Sequence, residues 1–167
     1  MSLAKLVRRP VHTVDSSCTI VEAARRMRDN VVGALVITEP SRSTPLGIIT
    51  DRDLVVMVAE GLDPREAAVS QFLRLPLQTA TITDGLPEVT RKMRDYGIRR
   101  LPVLDTEGRL AGLVALDDVL VFLGEEMADV AAAIRGELDH ERELSAEPAA
   151  GAGAGKATTA GSRAARP

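Results

Sequence analysis

The chain has 167 residues, 45% hydrophobic and 27% charged, the make-up of a folded domain with a core of its own. With two Phe, one Tyr, no Trp and a net charge of −3, a nucleic-acid surface built on base stacking or a general basic field is disfavoured. A single cysteine, Cys18, excludes an intrachain disulfide and fits a reducing compartment, and with His12 and His140 it provides no zinc-ligand spacing.

In chain order, Val11–Val14 reads as a short extended piece. Thr19 and Glu22 then have the spacing of a capping box, and the predicted helix carries Ile20, Ala23, Ala24 and Met27 on one face with arginines opposite. The β-rich run Ala34–Thr38, the turn EPSRSTP and a second strand, Leu46–Ile49, lead into a helix over Asp53–Glu60. The stretch GLDPREAAVSQFL reads as a turn with a short amphipathic segment, adequately explained as a linker. The order then returns. Leu77–Thr81 is extended, and Asp84 ahead of Leu86-Pro87-Glu88 signals a helix entry. Leu101–Leu104, the turn DTEGR, the strand Leu110–Val114 and a helix from Asp118 through Phe122 and beyond complete the second set.

The two sets are copies. At an offset of 66, Thr13 lies over Thr79, Glu22 over Glu88, and Arg25, Met27, Arg28 and Asp29 over Arg91, Met93, Arg94 and Asp95. An offset of 65 then superposes GIITDRDLV (47–55) on GLVALDDVL (112–120). One copy of about 60 residues would have a marginal core, so the two are expected to pack as one unit from roughly Leu6 to Leu123. The predicted fold class is α/β (α+β): two β-α-β-β-α repeats, 6–61 and 62–123, forming one pseudo-two-fold module. A C-terminal helix over 124–144 follows, with Met127, Val130, Ala131, Ile134 and Leu138 in an apolar stripe. That stripe either packs on its own module or meets a second chain. From 145 to 167 the Ala/Gly-rich tail has no apolar periodicity, and disorder is expected.

The glycine-led segments carry the chemistry. A carboxylate at a helix start can bind the cis-diol of a ribose, and a hydroxyl beside free helix N–H groups suits a phosphate oxygen. Thr50 and Asp53 meet both requirements, but Thr-x-x-Asp at a helix start is equally a capping box. In the second copy Ala115 has lost the hydroxyl while Asp118 keeps the carboxylate, and Asp117 could cap a helix beginning slightly later. The two clefts should therefore differ, with the Thr50/Asp53 cleft the better nucleotide site, so that Asp53→Ala abolishes binding and Asp118→Ala affects it much less.

The β-α-β-β-α order, the run GIRRLPVLDTEGRLAGLVALDDVL and the Gly-h-h-Thr-x-x-Asp pattern of GIITDRDL resemble paired CBS domains, named after cystathionine β-synthase. The resemblance covers about Lys5 to Leu123 and is similar to the free-standing bacterial type. It implies a Bateman module, usually a homodimer, with clefts between the repeats for adenosine-containing ligands: AMP, ADP, ATP, NAD(H) or S-adenosylmethionine. It also implies that Arg99 and Arg100, where the first copy has Gly33 and Ala34, face ligand phosphates; surface charges at a strand start are the other reading. Arg52 is balanced between phosphate contact and an exposed helix start. An adenine slot would use aliphatic walls such as Val14, Val32 and Ile49, or Ala80, Ile98 and Val114, all of which are also ordinary core residues. Tyr96 reads as a surface residue rather than a stacking platform.

Catalysis is not expected. No Ser–His–Asp or Cys–His arrangement, P-loop or dinucleotide fingerprint is present, and His12 reads as a surface residue. Cys18 lies in a DSSCT turn beside a helix start, a setting that can lower a thiol pKa, but a redox role is not the expected one. The start MSLAKLVRRPVHTV has no signal-like apolar run and no stretch suits a membrane span, so a cytoplasmic location is expected. The expected function is a non-catalytic sensor that requires no cofactor and regulates an unidentified protein. Its rival is a ligand-independent oligomerisation scaffold.

Overall fold

The computed structural model describes residues 3–39 and 42–146. The expected tail beyond residue 146 lies outside these. Among the described residues, those to Glu125 form one compact unit and those from Glu126 another.

In the first repeat, β1 (Thr13–Asp15) pairs in parallel with β2 (Ala34–Glu39), which pairs antiparallel with β3 (Arg42–Thr50). Helix α1 (Ile20–Asn30) joins β1 to β2, and α2 (Asp51–Ala59) follows β3. The capping box of α1 forms as expected: the Glu22 N–H donates to Thr19 Oγ1 at 3.3 Å, and the Thr19 N–H donates to Glu22 Oε2 at 2.8 Å. The helix buries Ile20, Ala23 and Met27, while Ala24, at the edge of that face, is exposed. The turn expected over EPSRSTP is shorter, because β3 already begins at Arg42. Pro45, which has no N–H to give, is accommodated opposite Thr38 where the register shifts.

The second repeat repeats the topology with β4 (Ala80–Thr81), α3 (Leu86–Tyr96), β5 (Arg100–Leu104) and β6 (Leu110–Ala115). Helix α4 (Leu116–Ala146) then runs unbroken, so the helix expected after β6 and the one expected over 124–144 are a single element. The N-cap of α3 is Gly85, not Asp84. Asp84 instead accepts from the Thr81 N–H at 3.1 Å, the Thr81 hydroxyl and Lys92 Nζ at 3.0 Å, tying β4 to α3. Partial burial pushes its pKa up, but these donors outweigh it and hold the carboxyl below its ordinary value.

Each repeat has its own apolar core, and each core is closed by the segment that precedes the other repeat. Val14, Ile20, Met27, Leu35, Ile37, Ile49 and Met57 pack with Ala67 and Val69, flanked by Phe72 and Leu73. Ala80, Val89, Met93, Leu101, Val103, Val114 and Val119 pack with Leu3 and Leu6, flanked by Val7. The supposed linker is thus an arm with a fully buried Val69. The offset of 66 superposes Leu3, Leu6, Val7 and Arg8 on Val69, Phe72, Leu73 and Arg74, so the duplicated unit includes its leading arm.

This exchange explains the glycine that both copies keep. A β-carbon on Gly47 would stand 2.3 Å from Leu73 Cδ2, and one on Gly112 would stand 1.9 Å from Val7 Cγ1. Both glycines lie in a strand and leave room for the arm that crosses it.

Candidate ligand site

The start of α2 uses both groups picked out from the sequence as a cap. The Asp53 N–H donates to Thr50 Oγ1 at 3.3 Å, and Asp53 Oδ2 accepts from the Thr50 N–H at 2.9 Å and the Thr50 hydroxyl at 2.7 Å. The other oxygen, Oδ1, faces Arg74 Nη2 at 3.5 Å. The capping alternative is therefore realised, with a cation from the crossing arm added. Arg52 is exposed beside it.

The second repeat reproduces the cation and drops the cap. Helix α4 begins at Leu116, before Asp117 could act as its N-cap. Asp118 is bound by Arg8, whose Nε lies 2.8 Å from each carboxylate oxygen and whose Nη2 makes a further contact with Oδ1. The hydrogen bonds and charge of Asp118 hold the Arg8 guanidinium still more firmly protonated. In both copies one backbone bond ties the helix start to the residue just before the neighbouring strand (β2 or β5): the Asp51 N–H donates to the Gly33 carbonyl at 3.2 Å, and the Leu116 N–H to the Arg99 carbonyl at 2.8 Å. The Arg99 side chain is exposed and lines none of the clefts described below.

Between the repeats lies a cleft of about 420 Å³. One wall is Val31, Val32, Gly33, Ala34 and Val36 of the first repeat; the other is Arg100, Leu113, Ala115 and Asp117 of the second. The arm from Arg8 to His12 forms the third side. That arm is fixed by paired backbone bonds between Arg8 and Leu113, by Arg9 Nε donating to the Ala111 carbonyl at 2.7 Å, and by the Val36 N–H donating to the His12 carbonyl at 3.0 Å.

Of the residues picked from the sequence, this cleft unites Val32 and Arg100. Val14 is a core residue, 2% exposed, that touches a separate open depression beside Asp15, Ser17 and Cys18. Asp118 faces a smaller hollow with Lys5, Leu6 and Val121. Arg8, Arg9, His12, Val31 and Asp117 are cleft residues that the sequence reading did not assign to a site. The signal was the Arg8-Arg9-Pro10 run, visible once the arm is recognised as part of the repeat.

The electrostatics of the cleft are uneven. Arg8 is matched by Asp118 and Arg9 by a carbonyl, but Arg100 is half-buried and its side chain makes no hydrogen bond or ion pair among the described residues. Its Nη2 would lie 3.8 Å from a β-carbon on Gly33, so it reaches across to the first repeat. A bidentate oxyanion is the partner that an unpaired guanidinium at such a position fits. At Cys18, by contrast, burial and then the neighbouring Glu22 push the thiol pKa up, opposite to the helix-start expectation.

Comparison with known proteins places this architecture. The CBS domain model matches residues 3–60 and 69–125, so the chain belongs to the CBS-domain family and carries two copies in tandem. Among its relatives is an uncharacterised protein of Methanopyrus kandleri, 37% identical over 121 residues, a match covering 72% of this chain and 61% of that one. The chain thus spans less than two thirds of that relative's length. The CBS domain-containing protein YhcV of Bacillus subtilis is 35% identical over 112 residues, covering 66% of this chain and 77% of the other. A CBS domain protein from Pyrobaculum aerophilum, solved in complex with AMP, superposes with a TM-score of 0.65 at 28% identity, covering 71% of this chain and 89% of that one. Among the described residues, no helix is long and apolar enough to cross a membrane, and no three His, Cys, Asp or Glu residues are grouped to hold a metal.

Proposed function

We propose that the protein is a non-catalytic sensor that binds an adenine nucleotide in the cleft between its repeats and passes the signal to a regulated protein. The observation that carries this reading is the unpaired, half-buried Arg100 in a cleft of about 420 Å³, a volume suited to a small ligand. The AMP complex of the Pyrobaculum relative supports the ligand class. The apolar wall of Val31, Val32, Ala34 and Val36 provides a surface for the base, and Arg100 with Arg9 a surface for phosphate. Arg100 also favours AMP, ADP, ATP or NAD(H) over S-adenosylmethionine, which has no phosphate.

On this reading the ligand lies in the cleft between the repeats beside Arg100, and Thr50 and Asp53 cap α2. Binding would bridge the two repeats and bias their arrangement by its differential affinity for each state. Calorimetric titration with AMP, ATP, NADH and S-adenosylmethionine tests it. Saturable binding of a phosphate-bearing ligand is expected, and silence from all four would favour the scaffold reading.

A further inference from the structure

The cleft between the repeats is lined by carboxylate as well as guanidinium: its charged side chains are Arg8, Arg9, Arg100 and Asp117, with His12 on the arm. Arg8 is already matched by Asp118, and Arg9 Nε by the Ala111 carbonyl, which leaves the whole fork of Arg100 free to take an oxyanion. Asp117 stands on the same wall as Arg100. Its side chain also makes no hydrogen bond or ion pair among the described residues, and its charge reaches the Arg8 guanidinium. A second carboxylate comes from the first repeat. The point where a β-carbon on Gly33 would lie is 3.8 Å from Arg100 Nη2 and 3.4 Å from Asp51 Oδ2. Each repeat thus sets one carboxylate beside the cleft that holds Arg100.

This mixture limits the negative charge the cleft can accept. One phosphate can be held bidentately by Arg100. Each further phosphate brings more negative charge toward Asp117 and Asp51, and like charges set together are a means by which a site rejects a near-identical ligand. The duplication marks Asp117 in particular. The first copy has Arg52 at this position, so the sign of the charge is reversed while the strand-to-helix turn is kept. Asp117 is exposed in the first turn of α4, where an acid also suits the helix dipole. That role bears on stability and not on which ligand is chosen, so the two can be separated.

We propose that Asp117 is a specificity-determining residue that restricts the cleft to nucleotides with a single phosphate, AMP rather than its di- and triphosphates. This rests on the nucleotide reading above.

The test is calorimetric titration of the full chain with AMP, ADP and ATP at one pH and ionic strength. A chelator is included, because a divalent cation would bridge phosphate and carboxylate and mask their repulsion. The wild-type chain should bind AMP at least roughly tenfold more tightly than ATP, with ADP between them. Asp117→Asn should narrow that ratio by about threefold, and Asp117→Arg, which installs the residue type of the first copy, should abolish the preference. Glu60→Gln, which removes an exposed carboxylate away from the cleft, should leave the ratio where it was. Asp117 is exposed, so its variants should stay folded, which a thermal melt of each checks. Equal affinity for AMP and ATP in the wild-type chain, or a ratio that Asp117→Arg does not move, would overturn this inference and leave the nucleotide reading standing. Binding of none of the three would remove that reading, and this inference with it.

Discussion

The two repeats divide their features into those held in common and those allowed to diverge. Common to both are the devices that close the cores: the crossing arm, the glycine beneath it, and an arginine from the arm set against the aspartate near the helix start (Arg74 with Asp53, Arg8 with Asp118). Divergent are the residues around the inter-repeat cleft. Thr50 is matched by Ala115, Arg52 by Asp117, Ala34 by Arg100, and the helix-ending Val31 by Gly97. The duplicated architecture therefore keeps its fold while the residues around its cleft diverge.

The largest expected effect breaks a shared device. In Gly112→Ala the new β-carbon meets the short, branched Val7 and comes within 3.2 Å of the Arg8 carbonyl, so the arm itself must move. A loss of about 2–3 kcal/mol in urea unfolding is expected. Gly47→Ala should cost nearer 1 kcal/mol, because the obstacle there is the mobile end of Leu73. Equal costs would mean that the two arms yield alike, whichever residue stands over the glycine.

Next come the helix ends. Val31 is a β-branched residue at φ 53°, 91% exposed at the mouth of the cleft, where the second copy has Gly97 at φ 64°. Val31→Gly should stabilise the protein by about 1 kcal/mol, read as a rise in Tm, while weakening nucleotide binding through loss of an apolar wall. A gain in stability with no change in affinity would separate Val31 from the ligand. Thr50→Ala should cost about 1 kcal/mol as a lost cap. Ala115→Thr should return little, because Asp118 is already engaged by Arg8 and cannot complete a capping box.

The smallest effect is on acid stability. Asp84 has a folded pKa below its ordinary value, so its contribution is present above the unfolded pKa and fades as pH falls through the folded one. Asp84→Asn should remove part of the loss of stability below about pH 4, measured as the change in Tm with pH. An unchanged slope would mean that Lys92 and Thr81 do not hold this carboxylate in solution.

Much of the fold was legible because the periodic signals were strong and written twice. Thr19 and Glu22 announced α1, and the glycine-led segments announced the strand-to-helix turns. The arms were not legible as arms. Leu3, Leu6 and Val7 are too few to form a periodic element, and their partners lie about a hundred residues away in sequence. Thr50 and Asp53 were found but could not be ranked, since a cap and a ligand contact need the same atoms at the same spacing. Arg100 was found by its departure from Ala34, but its lack of a partner is a three-dimensional fact. Arg8, Arg9 and His12 reach the cleft only because the arm crosses over, which no local pattern encodes.

The measurement that tests the account most directly is AMP affinity by calorimetry in Arg100→Ala and Asp53→Ala, each at a temperature where it is fully folded. The account predicts a roughly tenfold to hundredfold weaker affinity in Arg100→Ala, as for a lost charge-assisted contact, and near-wild-type binding in Asp53→Ala. Unchanged binding in Arg100→Ala with loss in Asp53→Ala would contradict it and return the site to the first repeat.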